Sequence, residues 1–121
     1  MKDIKTFEDA CAKLGIDPTV LPVVNGLPEG HQRAVVAHYK LMVIVQAINN
    51  GWEPDWADYD QRKYYPWFDL SSGSGLSCCG CAHDISASNV GSRLAFYCRE
   101  AAEYAGGQFN QLYEEYFLIR S

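Results

Sequence analysis

An uncharged apolar run at residues 41–48 constrains the fold of this 121-residue chain more than any other stretch. It lies within residues 28–50, where Pro28 suits the first turn of a helix and Gly51 accepts the left-handed conformation that ends one. Apolar side chains occur on nearly every side of this segment at helical spacing, and such a helix has to be buried on most sides. The uncharged run is about half the roughly 20 residues that a membrane span needs. We therefore expect a central helix surrounded by the other elements, and no membrane association.

Length, charge and cysteine usage bound the class of protein. The chain fits one domain, residues 1–121, and 48% apolar residues are typical of a folded protein. A formal net charge of −5 argues against a nucleic-acid partner, because nucleic-acid binding requires a basic surface. The N-terminus lacks the apolar core of a signal peptide, so we expect a cytoplasmic protein. Five cysteines, an odd number, fit reduced thiols better than a disulfide framework.

Two further segments complete the N-terminal half. Residues 6–15 are predicted to form a short helix, with Thr6 and Asp9 as an approximate capping box and Gly15 as its end. Cys11 falls on the apolar face of this helix and is expected in the core. Residues 16–30 carry turn residues as well as apolar ones, so we expect a loop that packs down on the domain.

The C-terminal half is predicted to contain a small antiparallel sheet and a long helix. Residues 64–70, 76–82 and 92–98 have strand character, and Pro66 confines the first strand to an edge or a bulge. A turn is expected between the first two strands, at residues 71–75. Residues 99–118 carry an apolar stripe of helical spacing. The predicted class is α+β, with N-terminal helices, about three strands and a long C-terminal amphipathic helix.

Gly106-Gly107 falls in the middle of the predicted C-terminal helix. Each glycine costs roughly 1 kcal/mol relative to alanine in a helix interior. We expect the compensation to be a close approach of the helix backbone to the sheet or to the central helix.

Residues 51–70 combine a high density of aromatic residues with aspartates. The aromatic side chains have two interpretations: they cover the central helix, or some of them form an exposed face for a partner. Strand alternation places Tyr64, Pro66 and Phe68 on one side and Tyr65, Trp67 and Asp69 on the other, so one set faces the core and the other faces outward. The aspartates argue against stacking on nucleobases. The predicted partner-binding residues are Trp56, Tyr59, Tyr64, Tyr65 and Trp67.

The cysteines and histidines offer two alternative chemistries. A tetrahedral zinc site could use Cys78, Cys81, His83 and Cys98, but a second cysteine pair of standard spacing is absent from the sequence. A Cys–His nucleophile could combine Cys79 or Cys81 with His38 or His83, but no third orienting group is recognisable. His38 also falls on the apolar face of the central helix, which is typical of an imidazole at the core edge. We therefore predict no metal, no cofactor and no catalytic residue.

Several sequence blocks resemble a recurring family of small phage and prophage proteins from gut bacteria. The blocks are Gly51-Trp52 with Pro54-Asp55-Trp56, residues 63–68, residues 90–94, and the aromatic pattern of residues 103–117. The resemblance covers nearly the whole chain and implies a viral or mobile-element context, but no activity and no catalytic residue. This chain departs from the family pattern at residues 78–81, where the family has aromatic residues and aspartates in place of cysteines.

We expect a non-enzymatic phage or prophage accessory protein that acts through protein–protein contacts. It would work in the host cytoplasm or in the virion, and self-association remains open. The alternative is a small zinc-binding or nucleotide-binding module.

Overall fold

The computed structural model describes residues 1–71 and 76–119, and for Cys79 its backbone alone. The elements in chain order are α1 (Phe7–Leu14), α2 (Glu29–Asn49), β1 (Lys63–Asp69), β2 (Ser77–Asp84), a short 3-10 helix (Ser92–Leu94), α3 (Arg99–Gln108) and α4 (Asn110–Phe117). This arrangement confirms the α+β class. Most of the turn predicted at residues 71–75 lies outside the described residues.

The first helix forms as the sequence predicts. The Thr6 hydroxyl accepts a hydrogen bond from the Asp9 N–H at 3.1 Å, and the Asp9 carboxylate accepts one from the Thr6 N–H at 3.1 Å. Gly15 ends the helix in the left-handed conformation, at φ 70°. Cys11 is fully buried, and burial raises the pKa of its thiol. This cysteine is therefore a core residue.

Helix α2 is buried along its second half only. Leu41, Ile44 and Val45 are almost inaccessible, and both α1 and α4 pack on α2. Asn50 takes the left-handed conformation at φ 48°, and Gly51 follows at φ 92°, so two residues share the predicted end signal. The first two turns are largely exposed. The expectation of a surrounded helix thus holds for its C-terminal half.

Strands β1 and β2 form an antiparallel pair, and a third strand contributes one bridge. Tyr64 and Phe96 exchange both backbone hydrogen bonds, at 3.0 and 2.7 Å. The segment predicted as a third strand at residues 92–98 is shorter than expected, because Ser92–Leu94 turns into a 3-10 helix before the bridge. The buried Asn49 side chain holds this segment to the end of α2, donating to the Ala95 carbonyl at 2.9 Å.

The predicted long C-terminal helix is wrong, because the chain breaks into α3 and α4. Phe109 separates the two helices with φ −109° and ψ 27°. The break directly follows Gly106, Gly107 and Gln108, where two glycines weaken the helix. The predicted close approach is confirmed at Gly106, where an added Cβ would stand 2.7 Å from the Pro66 Cβ.

The loop at residues 16–30 does not pack down as predicted. Val20 is 63% exposed and Val23 is 91% exposed, and Leu21 and Leu27 are also exposed. Apolar composition alone does not bury this loop, because α1 and α2 already bury one another and leave its side chains at the surface.

Candidate protein-binding groove

An open apolar groove of about 380 Å³ lies between β1 and the last turn of α4. Three of its side chains are well exposed: Trp67 at 54%, Leu70 at 52% and Phe117 at 40%. None of the described residues that line the groove is charged. The lining residues are Tyr65, Pro66, Trp67, Phe68, Leu70, Asn89, Val90, Leu94, Tyr116 and Phe117.

Strand β1 forms one side of the groove and contributes side chains from both of its faces. Pro66 and Phe68 point to the helices, where the Phe68 ring lies 4.9 Å from that of Tyr113. Trp67 points the opposite way, and its ring lies 6.4 Å from that of Tyr65. This agrees with the alternation predicted from sequence. A groove that takes residues from both faces of a strand lies along the edge of that strand.

The loop at residues 88–91 forms a second side and is held by its own hydrogen bonds. The Ser88 hydroxyl accepts from the backbone N–H groups of Val90 and Gly91, at 3.0 and 2.7 Å. The Asn89 side chain donates to the Tyr65 hydroxyl at 3.2 Å, and its backbone N–H donates to Asp84 at 3.1 Å. The loop is therefore tied to β1 and to the end of β2.

The last turn of α4 closes the groove and is anchored by ring contacts. The Tyr116 ring stacks on the His38 ring of α2, with centroids 4.6 Å apart and an angle of 14° between the planes. Phe117 meets Phe68 edge-on at 5.6 Å and lies 5.8 Å from Tyr113. His38 thus takes the core-edge position that its apolar face indicated.

Tyr113 lies behind the groove and is 1% exposed. Burial raises the pKa of its phenol strongly. Its hydroxyl has no hydrogen-bond partner among the residues that the structure describes. An unpaired buried hydroxyl costs about 1–3 kcal/mol, so this tyrosine contributes stability through its ring alone.

The predicted partner-binding residues are found in three different environments. Tyr65 and Trp67 line the groove, although Tyr65 is only 6% exposed. Tyr59 is 75% exposed but belongs to the loop before β1 and does not line the groove. Trp56 and Tyr64 are partly buried. The aromatic segment therefore combines a covering role with an exposed surface.

The sequence does not indicate which residues outside β1 line the groove. Leu70, Leu94 and Phe117 are distant in sequence from one another, and no local pattern links them. The aromatic spacing of the C-terminal segment was the one available signal, since Tyr116 belongs to its apolar stripe.

Lys63 is a second feature that the sequence did not reveal. This lysine is fully buried at the start of β1. Its ammonium donates to the backbone carbonyls of Asp58 and Ile85, at 3.2 and 2.6 Å, and lies 5.1 Å from the centre of the Trp56 ring. The indole N–H of Trp56 donates in turn to the Ser92 hydroxyl at 2.6 Å. Lys63 thus ties the loop before β1 to the loop after β2.

The four residues of the alternative zinc site have separate roles. Cys78 packs against Gly106, and burial raises the pKa of the Cys81 thiol. His83 is exposed beside the Tyr64 ring, and the Cys98 Sγ caps α3 by accepting from the Ala101 N–H at 3.4 Å. Within residues 1–71 and 76–119, with the Cys79 side chain aside, no group of three or more His, Cys, Asp or Glu side chains is arranged to hold a metal ion.

A second cleft of about 350 Å³ lies between the end of α2 and the 3-10 helix. Its lining is mixed, with Gln46, Trp52, Glu53 and Arg93 beside apolar side chains.

None of the helices in the described part of the chain is long and apolar enough to cross a membrane. No protein-family model, no curated protein and no solved structure matches this chain.

Proposed function

We propose that this chain is a non-enzymatic accessory protein of a phage or prophage, and that it acts by binding another protein at the groove between β1 and α4. The observation that carries the proposal is the exposed apolar surface of Trp67, Leu70 and Phe117, which stands on a scaffold held by hydrogen bonds and ring contacts. Exposed apolar grooves of this kind are typical of binding surfaces. The phage or prophage context comes from the resemblance of the sequence blocks.

The aromatic side chains in this groove are suited to anchor a bound protein. Trp and Tyr carry a large share of the binding energy in protein interfaces, where they fill desolvated pockets. Trp67 and Phe117 face the same groove from different elements, so a bound side chain would be desolvated on two sides. The site of action would be the host cytoplasm or the virion.

The proposal is tested with Trp67→Ser and Phe117→Ser, each in the full chain. Trp67→Ser should keep a melting temperature close to that of the parent, whereas Phe117→Ser loses ring contacts with Phe68 and Tyr113 and should melt lower but remain folded at the assay temperature. Both variants should lose the partner captured from induced or infected cells. Tyr59→Ser is the matched control, because Tyr59 is a more exposed aromatic residue outside the groove.

The proposal is wrong if the two groove variants capture the same proteins as the parent does. It is also wrong if Tyr59→Ser loses the same proteins as the groove variants do. Light scattering on the parent and on Trp67→Ser separates a second copy of this chain from a different partner.

A further inference from the structure

We infer that the groove accepts an extended segment of its protein partner, which adds as a strand to the edge of β1 that faces away from β2. This inference rests on the proposed function and specifies how the partner binds. The position to be filled lies opposite Pro66 and Phe68, where residues 92–94 form a 3-10 helix ahead of the Tyr64–Phe96 bridge and do not extend the strand pairing.

The backbone of β1 shows which groups the edge presents. Tyr64 directs both its N–H and its C=O toward Phe96 and away from β2. Since these directions alternate along a strand, Pro66 and Phe68 present their backbone groups to the same edge. The bulge between Trp67 and Phe68 does not interrupt this alternation, because the extra residue, Cys79, belongs to β2.

A proline at position 66 is compatible with an edge that has no strand paired to it. Proline has no N–H to donate, so within a sheet it is tolerated where its nitrogen faces an edge. Beyond the Tyr64–Phe96 bridge, no described residue pairs with the backbone of Pro66 or Phe68 on that side. The edge therefore offers the Pro66 carbonyl and both backbone groups of Phe68.

The walls of the groove determine the chemistry of the added segment. From Pro66 to Leu70 the edge extends over roughly 13 Å, which four or five extended residues span. Trp67 lies on one face of β1 and Phe117 on the other, so successive side chains of the segment meet apolar walls on alternate sides. The segment should be uncharged where it lies in the groove, because its lining in the described residues carries no charge.

A second copy of this chain fits the site less well than a single extended segment does. The edge is recessed between residues 89–94 and the last turn of α4. A second copy that offered the same edge would bring the same two walls against these. Recessed edges of this type accept strands donated by a partner, with backbone hydrogen bonds for affinity and side-chain pockets for specificity.

The experiment uses the full chain and a display library of random 12-residue peptides, with counter-selection against Trp67→Ser. Enriched peptides should carry a continuous run of four or five apolar residues, because the groove has apolar walls on both faces of β1. In a synthetic peptide of the enriched sequence, N-methylation of single residues should weaken binding at least tenfold at alternate positions and have little effect between them. Tyr59→Ser should bind the peptide as the parent does.

Three results would overturn the inference. Anchors spaced i, i+3, i+4 and i+7 would indicate a bound helix, and N-methylation without a period of two would exclude strand pairing. If no peptide that requires Trp67 for binding is enriched, the groove does not accept an extended segment. In each case, capture of a cellular partner that is lost in Trp67→Ser and Phe117→Ser would still support the proposed function, so the two ideas fail separately.

Discussion

Gly106 of α3 and Cys78 of β2 lie so close together that a Cβ on Gly106 would stand 2.5 Å from the Cys78 Sγ. The same Cβ would approach the Pro66 Cβ of β1 to 2.7 Å. The missing side chain therefore lets α3 lie directly on both strands. This contact fixes the sheet against the helices, and it positions the strand whose edge forms the groove.

Gly106→Ala should destabilise the protein although alanine favours a helix. The gain in helix propensity is about 1 kcal/mol, and overpacking of a tight contact costs about 1–3 kcal/mol, so we expect a net loss of up to about 2 kcal/mol. Gly107→Ala is the matched control, since a Cβ there meets nothing within 4 Å, and it should be neutral or stabilising. Urea unfolding of both variants measures the difference; equal stability of the two would show that the contact at Gly106 is unimportant.

Lys63→Met should loosen the loop before β1 and the loop after β2. The variant removes the hydrogen bonds to the Asp58 and Ile85 carbonyls, and hydrogen bonds to a charged group contribute about 1.5–3 kcal/mol each before the cost of burying the charge. We expect a lower melting temperature, together with faster hydrogen exchange at residues 55–61 and 85–91.

Lys40→Met provides the control for the loss of a cation over a ring. The Lys40 ammonium lies 5.3 Å from the centre of the Phe7 ring, a contact comparable to that of Lys63 with Trp56. Lys40→Met should cost less than about 1 kcal/mol. An equal effect of the two variants would mean that the carbonyl contacts of Lys63 add little.

Val43→Asp should unfold the domain or come close to doing so. Val43 is 4% exposed in the buried half of α2, and an unpaired charge there costs several kcal/mol out of a total stability of about 5–15 kcal/mol. Gln46→Asp, on the exposed side of the same helix, should change the stability only slightly. If purified Val43→Asp melts like the parent, the central role of α2 in the core is wrong.

Tyr113→Phe should be as stable as the parent at neutral pH or more stable, by about 1 kcal/mol, because it removes an unpaired buried hydroxyl. Burial raises the pKa of this phenol, so the folded state keeps the proton when the unfolded state loses it. The stability of the parent should therefore fall as the pH rises above the unfolded pKa of about 10, by up to about 1.4 kcal/mol per pH unit.

Removal of the hydroxyl in Tyr113→Phe should make this alkaline loss of stability less steep. Tyr59→Phe, at an exposed position, should leave the slope unchanged. Urea unfolding at a series of pH values from 8 to 11 measures the slopes. Identical slopes for the parent and Tyr113→Phe would show that Tyr113 does not contribute to the alkaline loss of stability.

Local signals in the sequence predicted the elements whose causes are themselves local. The capping box of Thr6 and Asp9, the turn at Gly15 and the bounds of α2 depend on residues within a few positions of one another. The alternation of β1 also follows from neighbouring residues, so the two sets of side chains were predictable, whereas the sequence did not indicate which set faces the helices. The glycine contact at Gly106 was predicted from its cost.

Features that depend on distant residues were not predicted. Lys63 is buried because two carbonyls from different loops receive its ammonium, and its sequence context resembles an ordinary surface lysine. The break at Phe109 depends on how α3 and α4 pack, which the regular apolar stripe conceals. The groove brings together Trp67 and Phe117, which are fifty positions apart in the sequence. The sequence therefore indicated that some aromatic side chains are exposed, but not where on the fold they meet.

Site-specific photocrosslinking tests whether the groove is the protein-binding surface. A benzophenone amino acid is placed in the full chain in place of Trp67, of Phe117 or of Tyr59, and the cells that make the protein are irradiated. We expect the same protein adduct when the benzophenone replaces Trp67 or Phe117. This adduct should not form when the benzophenone replaces Tyr59. Adducts of equal yield from all three positions, or none from the two groove positions, would contradict it.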